Sequence, residues 1–144
     1  MESGILIIKR MESDEDIYKS FDVMSQLRPH LKENEFINII KQQFKGRYQL
    51  VAVLSNNKVL ALAGFRINEN LAWGKFLYID DLVTDQAQRS AGYGKMLLDW
   101  LKKEAINNQC SQLHLDSGVQ RKDAHKFYNR EGMSFASHHY SIQL

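Results

Sequence analysis

Two short stretches of this 144-residue chain carry residue types that ordinary secondary structure has little use for. The first, Gln88-Arg89-Ser90-Ala91-Gly92-Tyr93-Gly94-Lys95, puts two glycines directly ahead of the amphipathic run Met96 to Ala105. Glycine weakens a helix and is tolerated where backbone takes unusual angles or approaches something closely. A helix N-terminus presents free N–H groups and a partial positive charge, so the ligand predicted here is an anion. The second stretch is Asp80-Asp81 in FLYIDDLVTD, two adjacent acids inside a strand pattern that disfavours them. Consecutive strand residues face opposite ways, so alternation groups Leu77, Ile79, Asp81 and Val83 on one face unless a bulge intervenes.

Other chemistries fit less well. A dinucleotide fingerprint needs three glycines after the first strand of a βαβ unit, and only G-x-G is present. A phosphate-binding loop of the G-x-x-x-x-G-K-[ST] type fails because Gly94-Lys95 is followed by Met96. No CxxC or HExxH pattern supports a metal site. Cys110 is the single cysteine, which excludes an internal disulfide and suits a reducing, cytoplasmic setting. It has no recognisable base beside it and reads as a buried, inert thiol.

The elements that must position the two stretches can be read along the chain. GILIIKR is a first strand. Ser13 caps a helix with Asp14, Glu15 and Asp16 in its first turn and Ile17, Phe21, Met24 and Leu27 as its apolar stripe, ended by Arg28-Pro29. ENEFINIIKQQFKG is a second helix with Phe36, Ile40 and Phe44 on one side and Gly46 as its stop. YQLVAVL and KVLALAGFRI form a hairpin around Asn56-Asn57, and KFLYIDDLVTD adds a third strand after the turn NENLAWGK. A long helix spans about Gly92 to Asn108, with Leu97, Leu98, Leu101 and Ala105 on its apolar side. QLHLDS is a strand, RKDAHKFYNREG a helix ending at Gly132, and MSFASHHYSIQL the last strand or strands. The order β-α-α-β-β-β-α-β-α-β predicts one α/β domain, residues 1–144, with a mixed sheet and helices on both faces.

Composition bounds the function. Hydrophobic residues make up 44% and charged residues 25%, enough for a real core. A net charge of +2 is too mild to argue for nucleic acid, yet compatible with a small anion. The apolar run Ile5 to Ile8 is too short for a signal-peptide core or a membrane span.

With these elements in order, the chain resembles the GNAT superfamily of acetyl-CoA-dependent N-acetyltransferases. Arg89 to Gly94 matches that family's R/Q-x-x-G-x-G/A loop, at the start of the third helix. AHKFYNREGM matches its later A-x-x-(L/F)-Y-x-x-x-G-(F/M) helix. Ser90 stands where many relatives have Gly. The resemblance implies a GNAT-like fold over the whole chain. It also implies that Arg89, Ser90, Ala91, Gly92, Tyr93, Gly94 and Lys95 hold the coenzyme A pyrophosphate, chiefly through backbone N–H groups.

Acetyl transfer to an amine requires a base, because a lysine-like amine has a pKa of about 10.4. The carbonyl must be polarised and the leaving thiolate protonated. Asp81 is the first candidate for the amine's proton or for anchoring its ammonium form, and Asp80 the second. The family typically carries a bulge in this strand, which would let both acids reach the site. The resemblance assigns the carbonyl to a backbone N–H within Leu82, Val83 or Thr84, and makes Tyr128 the general acid beside the coenzyme sulfur. Arg121 stands where many relatives have Asn, and RKDAHKFY is similar to the aminoalkylphosphonate branch, which points Arg121 or His125 at coenzyme or substrate. LYIDDL also resembles the strand of diamine acetyltransferases.

The expected partners are acetyl-CoA, without a metal, and a small-molecule or peptide amine, with no nucleic acid and no membrane. HHYSIQL is suited to joining a sheet across a homodimer. Two alternatives stand beside the enzyme: a non-catalytic acyl-CoA sensor on the same fold, and an unrelated nucleotide- or phosphate-binding domain. Asp81 and Tyr128 together favour catalysis, since a sensor needs neither.

Overall fold

Ser13 starts the first helix as its residue type predicts. Its hydroxyl accepts the Asp16 N–H at 3.1 Å, and the Asp16 carboxylate takes the Ser13 N–H in return, closing a capping box. The structure, a computed structural model, describes residues 4–144. Its elements are β1 (Leu6–Arg10), α1 (Asp14–Leu27), α2 (Glu33–Lys45), β2 (Gln49–Ser55), β3 (Lys58–Asn70), β4 (Gly74–Thr84), α3 (Tyr93–Asn107), β5 (Gln112–Leu115) and α4 (Lys122–Arg130). A 3-10 turn at Gln86–Gln88, which no residue pattern announced, links β4 to α3.

The chain falls into two compact units, one ending at His114 and one running from Leu115 to Leu144. In the first, the strands lie in the order β1-β2-β3-β4-β5, and the first three pairings are antiparallel. One face of the sheet packs on α1 and α2 through Ile17, Met24, Phe36, Ile40, Leu50, Leu54 and Leu62. The other face meets α3, where Phe65 sets its ring edge-on to Trp100 at 5.8 Å. Phe36, Leu62, Leu97, Leu98 and Leu101 are fully buried, each worth about 1.5–3 kcal/mol of burial.

The register between β3 and β4 positions the acids. Gly64 lies opposite Asp81 and Phe65 opposite Ile79, so Asp80 is an extra residue, a bulge. Ile79, opposite Phe65, belongs to the α3 face. Asp81, opposite Gly64, faces the side of Tyr48, α1 and α2, as does Val83, which packs against the α1–α2 cluster. Simple alternation, which groups Leu77 and Ile79 with Asp81 and Val83, is therefore overturned. The inserted residue reverses the parity, and Asp80 and Asp81 share one face.

In the second unit, α4 ends at Gly132, whose φ of 90° suits glycine, and Met133 N–H closes the turn on the Tyr128 carbonyl at 3.0 Å. The predicted last strand does not form: residues 133–144 carry no regular structure, and Phe135, Tyr140 and Ile142 are exposed. A strand exists only by pairing its N–H and C=O groups with a neighbour, and apolar spacing alone did not provide one. Among the described residues, no helix is long and apolar enough to cross a membrane.

Candidate active site

The acid pair on β4 is held by residues from three other parts of the first unit. Arg28, the residue that ends α1, donates from Nε and Nη2 to Asp81 Oδ1, both at 2.9 Å. Its Nη2 also reaches the Asp80 carbonyl at 2.9 Å. Tyr48, just before β2, donates its hydroxyl to Asp81 Oδ2 at 2.7 Å. Arg66 of β3 donates from Nε to Asp80 Oδ2 at 2.9 Å, and its remaining nitrogens hold the Gly46 carbonyl and Gln43 at the end of α2.

Gly64 makes this arrangement sterically possible. A Cβ there would lie 1.8 Å from the Tyr48 hydroxyl oxygen, so any other residue would displace the phenol from Asp81. Burial pushes the Tyr48 phenol well above its ordinary value, and the charge of Asp81 and the hydrogen bond to it push the same way. Tyr48 is thus a fixed donor. Burial also raises the Asp80 carboxyl above its ordinary value; Arg66 opposes this and the neighbouring Asp81 charge adds to it.

The glycine loop presents the opposite kind of surface. Asp85 caps the 3-10 turn through the Ala87 N–H, and Gln26 of α1 ties that turn down by bonding Asp85 and the Gln86 N–H. Beyond it the backbone enters the left-handed region twice, at Ser90 (φ 68°) and Gly92 (φ 87°). Gly92 caps α3, with no side-chain hydrogen bond to the helix start and no acid in its first turn. A Cβ on Gly92 would meet nothing within 4 Å. Arg89, Ser90, Ala91, Gly92 and Lys95 are exposed, and Tyr93 and Gly94 half-buried. The exposed start of α3 is thus a positively polarised backbone of the kind that attracts an anion. Lys95 is paired with Asp99 at 3.1 Å along the helix.

Between acids and loop run Leu82, Val83 and Thr84, which pair with Ala63, Leu62 and Ala61 on one edge. On the other edge β5 is only four residues long against eleven in β4, and it enters beside Lys75, whose carbonyl accepts the Ser111 N–H at 2.9 Å. That places β5 at the far end of β4 from Leu82–Thr84.

In the second unit Tyr128 and Arg121 come together. Burial raises the Tyr128 phenol, while the Arg121 guanidinium, hydrogen-bonded to it, pulls it back. His125, on the same helix, lies with Nε2 2.8 Å from the Gly118 carbonyl, a structural tie. Cys110 is partly rather than fully buried, and burial pushes its thiol up, against the nearby Lys75, away from the reactive thiolate.

Asp80 and Asp81 lie within β4 and the glycines at the start of α3, but the bulge turns both acids to one face and the residues that hold them belong to no motif. Tyr48, Gly64 and Arg66 act across the sheet, and Arg28 stood out only as a helix stop and as one of the mixed charges of Gln26 to Asn38, the stretch expected to set acceptor specificity. The one available signal was Gly64, a glycine inside an otherwise apolar strand, which marks close approach by another group.

Comparison with known proteins agrees with this architecture. The model of the acetyltransferase (GNAT) family matches residues 12–133, on both sides of the division between the units. The chain is 38% identical over 122 residues to the uncharacterized N-acetyltransferase YhdJ of Bacillus subtilis, covering 84% of this chain and 86% of that protein. It is 30% identical over 80 residues to the aminoalkylphosphonate N-acetyltransferase of Salmonella typhimurium, covering 55% of this chain and 52% of the relative. Among solved structures, the aminoglycoside N-acetyltransferase AAC(6')-Iy in complex with CoA superposes with a TM-score of 0.87 at 10% identity, over 99% of this chain and 97% of that one. The match over most of the chain, on a fold that puts an open helix start after a bulged acidic strand, makes this chain a member of the GNAT acetyltransferase family.

Proposed function

We propose that this protein transfers the acetyl group of acetyl-CoA to a primary amine of a small molecule or peptide, by direct attack in a ternary complex. The observation that carries the reading is the exposed start of α3, which Ser90 and Gly92 leave in left-handed backbone with no side chain of its own to cap it. In this reading, backbone N–H groups of Arg89 to Lys95 take the pyrophosphate, with Arg89 adding charge. Acetyl-CoA supplies the activated thioester. A backbone N–H of Leu82, Val83 or Thr84 polarises its carbonyl. The pair Asp80 and Asp81 takes the proton from the amine as its nitrogen bonds the acetyl carbon. Tyr128, with Arg121 beside it, protonates the sulfur as the carbon–sulfur bond breaks. The two units serve one domain, in a reducing cytoplasm that suits the lone Cys110.

The experiment is thiol release from acetyl-CoA across a panel of polyamines, aminoalkylphosphonates, aminoglycosides and peptide amines. Turnover on one class is the expected result and names the acceptor. Tight acetyl-CoA binding with no turnover on any class would replace the enzyme by a sensor. A GNAT-fold protein that binds no acetyl-CoA would overturn the loop assignment.

A further inference from the structure

The two acids of β4 are adjacent, share a face, and are held differently. Both oxygens of Asp81 are engaged, Oδ1 by Arg28 and Oδ2 by Tyr48. The Tyr48 contact exists only because position 64 lacks a side chain. Among the described residues Asp80 has a single side-chain donor, Arg66 on Oδ2. A carboxylate whose oxygens are filled by charge-assisted donors is a poor proton acceptor, because protonation must break one of those bonds. A neighbour with an oxygen to spare is the better base.

We propose that Tyr48, seated over Gly64, acts with Arg28 as a positioning pair that holds both oxygens of Asp81, and that Asp80 Oδ1 takes the amine's proton. The inference rests on the acetyltransferase reading and divides the roles of its acid pair. The neutral amine's nitrogen gives its proton to Asp80 Oδ1 as the nitrogen–carbon bond forms, while Arg28 and Tyr48 hold Asp81 in place beside it. The charged and titratable groups around Asp80 are Arg66 on β3, Arg28 at the end of α1, Tyr48 ahead of β2 and Asp81 beside it. The raised proton affinity of Asp80 agrees with this division, since it brings the group nearer the working range of a base.

The test is the pH–rate profile of acetyl transfer, on whichever amine the panel identifies, for the intact protein and three variants. Asp80→Asn is expected to lower kcat by about 100-fold or more and to abolish the acidic limb. Asp81→Asn is expected to lower kcat by only about tenfold and to move the limb to lower pH, because a negative charge beside Asp80 is gone. Tyr48→Phe, which preserves the packing but leaves the Asp81 charge less compensated, is expected to move the limb slightly to higher pH and to lower kcat with the acetyl-CoA KM unchanged. It keeps the test decisive should Asp81→Asn fail to fold. Loss of the limb in Asp81→Asn with a shifted limb in Asp80→Asn would overturn the division of roles, as would a wild-type profile in Tyr48→Phe. Absence of thiol release by the unmodified protein on every amine would instead overturn the transferase reading and this inference with it.

Discussion

The starts of α1 and α3 are two solutions to the same problem. Each helix has four N–H groups that its own turns cannot satisfy. At α1 the chain supplies its own partners: Ser13 and Asp16 form a reciprocal cap, three acids fill the first turn, and Lys9 pairs with Asp16 at 2.9 Å. At α3 it supplies none: Gly92 caps without a side chain, the first turn has no acid, and the surface is exposed. One start is sealed for stability, the other left open. A glycine cap costs only a few tenths of a kcal/mol relative to a Ser or Asp cap, so leaving the start open is cheap and is consistent with reserving it for a ligand's negative charge.

The comparison breaks most readily at Gly92. Gly92→Glu puts a carboxylate at the open end and forces a side chain onto a φ of 87°. Acetyl-CoA affinity measured by calorimetry should fall by at least about tenfold while the protein stays folded. Tyr128→Phe sharpens the contrast by separating chemistry from binding: kcat should fall by roughly 100-fold, with acetyl-CoA affinity unchanged. At the sealed helix the effect should be on stability alone.

Asp16 is buried, which raises its carboxyl, but the Lys9 hydrogen bond and the backbone N–H groups of Glu12 and Ser13 outweigh this and hold it below its ordinary value of 3.8. Its contribution is therefore present above pH 3.8 and lost as the pH falls through the lower value of the folded state. Asp16→Asn should lower stability by about 1–3 kcal/mol near neutral pH and flatten the acid end of the stability curve, read by denaturant titration at several pH values. Gly92→Ala should do least: strain of about 1 kcal/mol from the left-handed backbone and only a small loss of coenzyme affinity, since no charge is added.

These contrasts also explain what could be read in the chain beforehand. The helix starts were legible because capping is local: Ser13 and Asp16 are three residues apart, and Gly92 announces itself by type. Asp80 and Asp81 were legible because acids inside a strand are out of place. Their common face was not legible in the residues of β4, because a bulge is a property of the pairing with β3; only the family resemblance implied it. Tyr48 and Arg28 were illegible for a related reason: they lie 33 and 53 residues from Asp81, and only the folded sheet brings them together. The final strand read in MSFASHHYSIQL does not form, because among the described residues no neighbour pairs with it.

Whether the open start of α3 holds the coenzyme is decided by a calorimetric titration of acetyl-CoA into the unmodified protein and Gly92→Glu, with Asp16→Asn as the control from the sealed helix. The unmodified protein and Asp16→Asn should bind alike, and Gly92→Glu at least about tenfold more weakly. Equal binding by all three folded proteins would contradict this, because the start of α3 would then hold no part of the coenzyme.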